Sequence, residues 1–208
     1  MTTPIRLLIA DDHAIAREGI VAIVSQADDM DIVAEADDGA GAIALYQKHQ
    51  PDVGLIDLRM PNVDGVSTIT QILAAFPKAC LIILTTYNTD EDIYRGLQAG
   101  AKGYLLKDTT SEELLKAIRT VHQGRKYIPP EVALKLAERI NSTDLTEREM
   151  DVLRSLVSGK SNQEIGADLS ITGGTVKFHI NNILTKLGAG DRTQAVVMAL
   201  KRGLVRLD

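Results

Sequence analysis

Across roughly the first 120 residues, short apolar runs alternate with longer stretches of helical spacing, and this alternation constrains the fold more than any other feature. The runs fall at Ile5–Ala10, Ile32–Ala36, Val53–Ile56, Cys80–Leu84 and Gly103–Leu106. In the first helical stretch Ile15, Ile20 and Ile23 are expected on one face; in the last, Leu114, Leu115, Ile118 and Val121. Five strand–helix pairs imply parallel strands joined by right-handed crossovers. The strands are apolar almost throughout, which fits a sheet covered on both faces. The expectation is an α/β domain, a doubly wound five-stranded parallel sheet of order 2-1-3-4-5.

The pattern breaks after His122. The run Gly124-Arg-Lys-Tyr-Ile-Pro129-Pro130 cannot continue a helix, because proline lacks the N–H donor and pushes its predecessor toward extended backbone. A short helix is expected over Glu131–Ile140, followed by the polar Asn141-Ser-Thr-Asp144. From Leu145 onward only helical periods remain. The reading is a first domain over 1–122, a linker with a short helix over 123–143, and a small all-α domain over 144–208. Charge divides the same way. From Leu145 on, 9 Lys/Arg face 7 Asp/Glu, whereas residues 1–144 hold 14 against 21. A polyanionic partner therefore belongs to the tail. The longest uncharged stretch, Gly65–Pro77, has 13 residues, too few to span a bilayer, and no signal-peptide pattern opens the chain. The single cysteine, Cys80, reads as an apolar filler in a reducing cytoplasm.

Ligands of open α/β sheets bind beyond the carboxyl ends of the strands. Asp11 and Asp12 follow strand 1, and Asp57 ends strand 3, its neighbour at ~4.8 Å in the expected order. Carboxylates so close repel one another unless a hard divalent cation with oxygen ligands compensates them. Capping of the first helix accounts for one of the pair Asp11-Asp12 but not for Asp57. Thr85 ends strand 4 and Lys107 follows strand 5 on the same edge. Such a set can accept a phosphoryl group, with Asp57 as nucleophile and the cation and Lys107 neutralising the developing charge. A flavodoxin-type phosphate loop is excluded by Asp11 and Asp12, which repel an anion. A dehalogenase-type phosphatase needs a second aspartate where Arg59 stands. The four histidines form no metal or triad constellation, so the phosphodonor is another protein.

In the tail, Thr146 with Glu149 and Ser161 with Glu164 make two capping boxes. They open helices expected to end near Gly159 and Leu169. After Ser170-Ile-Thr172 a longer helix runs to about Lys186, giving a helix-turn-helix. At ~100° per residue Val176, Ile180, Ile183 and Leu187 form its buried stripe. Gly174, Lys177, Phe178, Asn181 and Thr185 lie opposite, with no acid among them. Lys177 suits phosphate or guanine, Asn181 adenine, and Phe178 a thymine methyl. Packing of Phe178 over a core edge remains the alternative.

Leu8-Ile-Ala-Asp11-Asp12, Asp57-Leu-Arg-Met-Pro61 with Asp64-Gly65, Leu84-Thr85-Thr86 and Ala99–Lys107 resemble the receiver domains of two-component systems. Leu145–Glu149, Gly159–Ile165 and Gly174–Leu187 resemble the LuxR-type DNA-binding domain. Together the chain resembles the NarL/FixJ family of response regulators. The resemblance implies Asp57 as phosphoacceptor. It implies Mg²⁺ held by Asp12, Asp57 and the backbone carbonyl of Arg59, with Asp11 acting through water. Thr85 and Tyr104 are the implied switch pair, Tyr104 turning inward on phosphorylation. Lys160 and Asn162 are implied to contact DNA phosphates, and Lys177, Phe178 and Asn181 to face the major groove. Val196, Ala199 and Leu200 on the last helix are the implied dimer surface, although they could equally pack within the domain. The implied partners are a sensor histidine kinase as phosphodonor, double-stranded DNA, a second copy on phosphorylation and, as a further candidate, RNA polymerase. The alternative reading is a phosphatase-like enzyme with an incidental helical tail.

Overall fold

The structure, a computed structural model, describes residues 3–86, 89–140 and 144–205. The expected polar linker at Asn141–Thr143 and the last three residues lie outside them. The chain divides into two compact units: the first takes the residues before Thr89 together with Asp92–Leu136, and the second takes Thr89–Glu91 together with the residues from Ala137 on.

The first unit alternates as the sequence predicts: β1 (Ile5–Ala10), α1 (Ala14–Val24), β2 (Met30–Ala36), α2 (Gly39–His49), β3 (Val53–Ile56), α3 (Gly65–Ala75), β4 (Leu81–Thr85), α4 (Asp90–Gln98), β5 (Gly103–Leu106) and α5 (Ser111–His122). All pairings are parallel and the order is β2-β1-β3-β4-β5. Alternate strand residues feed two cores. Leu8, Ile56, Leu81 and Ile83 pack on one face; Leu7, Ile9, Leu55, Ile82 and Leu84 pack on the other. That is why the strands read as apolar throughout. Ile20 and Val24 turn α1 onto the sheet, but Ile15 is 88% exposed. Ile20 lies five positions after Ile15, about 140° around a helix, so the two cannot share an inward face. The position before α1 is His13, with no side-chain cap, so neither Asp11 nor Asp12 serves as the cap.

The sheet's β5 edge is met by the segment the sequence assigns to a linker. Tyr127 donates its backbone N–H to the Lys102 carbonyl at 2.9 Å, and its carbonyl accepts from Tyr104 N–H at 3.2 Å. The next helix, α6 (Pro130–Ile140), inserts Val132 into the same core as Tyr104. Residues 123–136 thus pack on the first unit: the chain covers an open strand edge and an apolar face instead of leaving them to solvent.

The second unit holds α7 (Glu147–Val157), α8 (Asn162–Asp168), α9 (Gly173–Leu187) and α10 (Arg192–Lys201). Both expected capping boxes are formed. The core joins Val152, Leu153, Leu156, Ile165, Val176, Ile180, Ile183 and Leu187 to Ala195 and Ala199. Glu149 is buried, and its carboxylate takes Lys186 Nζ at 2.7 Å as well as the Thr146 N–H. Burial alone would raise its pKa; the Lys186 and Thr146 hydrogen bonds outweigh that and hold it below the usual range. Gly166 is required within α8, where a Cβ would meet the carbonyl oxygen of Ile171 in the following turn at 2.7 Å. Among the described residues no helix is long and apolar enough to cross a membrane.

Val132→Ala should lower the stability of the first unit by about 2 kcal/mol through loss of buried methyl groups. Leu134→Ala, on the exposed side of the same helix, should change it by less than about 0.5 kcal/mol. Denaturant titration of the full chain separates the two; equal effects would mean that α6 does not dock by Val132.

Candidate functional site

The register of β1 on β3 pairs Ala10 with Ile56, so Asp11 and Asp57 leave adjacent strands side by side. Their backbones are tied: Asp57 N–H donates to the Ala10 carbonyl at 2.8 Å, and Arg17 Nη1 donates to the Asp11 carbonyl at 2.7 Å. Asp11 and Asp57 are 2% and 3% exposed, and two buried carboxylates at this spacing require a cation. Lys107 supplies it. Its Nζ lies 2.8 Å from Asp11 Oδ2 and 2.7 Å from Asp57 Oδ2. Burial would pull the ammonium's pKa down, but the hydrogen bonds to Asp11 and Asp57 prevail and raise it above its ordinary value. Its stabilising contribution is therefore complete below a pH of about 10.4 and lost only as pH rises through the higher folded-state value.

Lys107 is held in turn from β4: its N–H donates to the Thr85 carbonyl at 2.9 Å. Thr85 is fully buried at that strand end. After β3 the chain doubles back so closely that a Cβ on Gly65 would lie 2.1 Å from the Asp57 carbonyl oxygen. Asp64 caps α3 by accepting from Ser67 N–H, and this fixes the loop carrying Leu58, Arg59 and Met60. Arg59 donates its N–H toward Asp57 Oδ1 at 3.4 Å and points Nη2 to within 4.0 Å of the buried Asp92.

Asp12 stands at the more open side of the cluster, and His13 joins it. His13 Nδ1 lies 2.7 Å from Asp12 Oδ1, and ligand atoms of Asp11, Asp12, His13 and Asp57 fall within 4.8 Å of one another. The sequence reading leaves all four histidines outside any metal constellation, but the structure brings His13 to the acidic cluster. Tyr104 is the other difference. It is completely buried, already turned inward, and burial with the nearby carboxylates Asp92 and Asp57 raises its phenol far above the usual range.

In the second unit, Val176, Ile180, Ile183 and Leu187 are the four buried residues of α9. Lys177, Phe178 and Asn181 are exposed, Phe178 at 60%, so the ring does not lap over the core. Lys160 and Asn162 flank Ser161 at the start of α8. The Lys160 ammonium lies 2.6 Å from Asp168, and Asn162 Oδ1 accepts from Arg192 Nη1 at 3.2 Å. No motif in the sequence singles out Arg192. On α10, Ala199 is fully buried in this unit's own core, while Val196 and Leu200 are half-buried. Ala199 has no surface to offer a second copy, because the helix turns Ala195 and Ala199 inward together; Val197 is the exposed apolar residue.

A five-stranded parallel sheet with an aspartate–lysine cluster at its carboxyl edge, followed by a helix-turn-helix, defines a receiver coupled to a DNA-binding domain. The response regulator receiver domain model matches residues 7–119, and the model of bacterial regulatory proteins of the luxR family matches residues 143–199. The chain belongs to the response regulators with a LuxR-type DNA-binding domain, a family of transcriptional regulators. It is 38% identical over 213 residues to an uncharacterised transcriptional regulatory protein, YxjL, of Bacillus subtilis, covering 97% of this chain and 98% of the relative. It is 39% identical over 207 residues to the response regulator VraR of Staphylococcus aureus, covering 97% and 99%. Among solved structures, RcsB of Salmonella enterica serovar Typhimurium, bound to promoter DNA in the presence of the phosphomimetic BeF3-, aligns with a TM-score of 0.74. The identity is 27%, over 97% of this chain and 100% of that one.

Removing the cation from the cluster should expose its cost. Lys107→Met should destabilise the first unit by roughly 3–5 kcal/mol. Adding Asp57→Asn in that background should recover a large part, because one buried charge is gone. Additive losses in denaturant titrations of the two single variants and the double would show that the three side chains are not one charge system.

Proposed function

We propose that Asp57 accepts a phosphoryl group from a sensor histidine kinase and that this modification controls dimerisation and DNA binding by the tail. The observation that carries the reading is the Lys107 ammonium shared between Asp11 and Asp57 at the carboxyl edge of the sheet. In the reaction an Asp57 carboxylate oxygen attacks the phosphorus, the bond from phosphorus to the donor's imidazole nitrogen breaks, and an acyl phosphate forms. Asp57 thereby loses its own charge while the phosphoryl oxygens carry more. Lys107, already 2.7 Å from Asp57, neutralises that charge without having to travel. The buried Thr85 at the adjacent strand end offers the hydroxyl that engages the phosphoryl group.

The carboxylate donors of the cluster fit a hard cation. Mg²⁺ would be held by Asp12, Asp57 and the Arg59 carbonyl, with Asp11 acting through water, and would neutralise charge on the phosphoryl oxygens. The Tyr104 backbone is hydrogen-bonded to Tyr127, so a shift of β5 on phosphorylation reaches the segment leading out of the receiver. The readout is double-stranded DNA: Lys177, Phe178 and Asn181 face the major groove, and Lys160 and Asn162 face phosphates. The exposed pairing of Lys160 with Asp168 is worth little in water and yields readily to a phosphate. RcsB, bound to promoter DNA with a phosphomimetic, supports the same linkage here. The protein acts in the cytoplasm.

With acetyl phosphate the wild type should take up one phosphoryl group per chain, only with Mg²⁺, and shift toward dimer with tighter DNA binding. Asp57→Asn should do none of these; labelling of that variant at the wild-type level would overturn the assignment. Lys177→Ala should weaken binding and flatten the dependence of log affinity on log salt by about one unit if it contacts phosphate. If it reads guanine instead, base preference changes. Unchanged affinity at every salt concentration and on every sequence removes Lys177 from the interface.

A further inference from the structure

Arg192 opens α10, a helix with no assigned contact to DNA, yet its guanidinium reaches back to the start of α8. Nη1 donates to Asn162 Oδ1 at 3.2 Å, and Nη2 donates to the Lys160 carbonyl. One side chain thus holds both residues that the proposed interface turns toward phosphates, across 30 and 32 positions of sequence.

We infer that Arg192 is a positioning residue that fixes which way the Asn162 amide faces, so that its NH2 group points at the DNA backbone. The chemistry leaves one choice. A guanidinium has five N–H donors and no acceptor, so the amide atom placed against it must be the oxygen. The amide nitrogen then lies on the far side, as two N–H donors. Phosphate oxygens accept and never donate, so this is the only orientation in which Asn162 can bind one. Without Arg192 the amide is free to rotate, and half of its orientations offer an oxygen to an anion. The bond to the Lys160 carbonyl limits the same stretch of backbone, so ordering is in place before DNA arrives. Asp191 supports the geometry by capping α10 through the Gln194 N–H at 2.8 Å, which sets where Arg192 leaves the helix. Ala195, one turn on, anchors the helix in the core.

The inference rests on the reading that Asn162 faces a phosphate, and the test separates the two. Phosphate contacts are independent of sequence, so a mixed-sequence DNA duplex serves as probe. Affinity of the phosphorylated full-length protein is measured for wild type, Asn162→Ala, Arg192→Met, the double variant and Arg192→Lys, with thermal unfolding of each. Asn162→Ala should cost about tenfold in the wild-type background, the order of one charge-assisted hydrogen bond. In the Arg192→Met background the same change should cost only about fivefold, because half of the amide's orientations are then unproductive. A purely structural role for Arg192 lowers the unfolding midpoint but leaves the Asn162→Ala effect the same in both backgrounds, and that outcome overturns the inference. If Arg192→Met fails to fold, Arg192→Lys decides. Lysine also donates only, so it should keep both near-wild-type binding and the tenfold Asn162→Ala effect; loss of either counts against the proposal. If Asn162→Ala is neutral in the wild type, it is the assignment of Asn162 to a phosphate that fails, and the inference falls with it.

Discussion

Two carboxylates nearly excluded from solvent, on adjacent strands, are held together by one ammonium. Without Lys107 the charges of Asp11 and Asp57 would each face the full cost of burial and repel one another. With it, the edge of the sheet carries a compensated but reactive set of groups. Much of the first unit serves this arrangement. The β1–β3 register puts the aspartates side by side, and the Thr85 carbonyl holds the lysine's backbone. Gly65 lets α3 begin against the Asp57 carbonyl, where any side chain would collide. Arg17 ties down the Asp11 carbonyl from α1 while its Nε reaches Glu35 at 3.3 Å. Each support comes from a different element, which is why the site needs the whole sheet.

The tail solves a different problem, that of presenting one helix face without letting it collapse inward. Four buried residues at helical spacing fix the rotation of α9, and that rotation leaves Phe178 and Lys177 outward. Two capping boxes satisfy the first-turn donors of α7 and α8, and the Glu149–Lys186 pair ties α7 to the last turn of α9. A unit this small has little core to spare. Ala199 is spent inside it, which leaves less of α10 for a partner than the amphipathic pattern suggests.

Tyr104 and Tyr127 connect the β5 end of the receiver site to residues 123–136. The backbone of Tyr104 is paired with Tyr127, and the Tyr127 hydroxyl donates to Glu113 on α5 at 3.0 Å. Tyr104 is inward in this conformation, so its burial alone does not mark a change of state; the backbone pairing of the β5 edge with Tyr127 is the more informative coordinate.

Local periodicity was enough to read the strand–helix alternation and the buried stripe of α9, while the strand order came from the general rule for doubly wound sheets. An apolar run or a helical stripe is dictated by the residues within it. Chemical type and position at strand ends were enough to single out Asp11, Asp12, Asp57, Thr85 and Lys107, because parallel α/β topology brings those ends to one edge. What sequence could not decide was anything set by a partner far along the chain. Residues 123–136 look like a linker because proline and glycine stop a helix; their pairing with β5 and the burial of Val132 depend on an edge built a full strand earlier. The meeting of His13 with Asp12 and the reach of Arg192 to Asn162 and Lys160 were likewise settled by the tertiary structure. Short polar contacts depend on where side chains end in space, and no spacing rule along the chain encodes that.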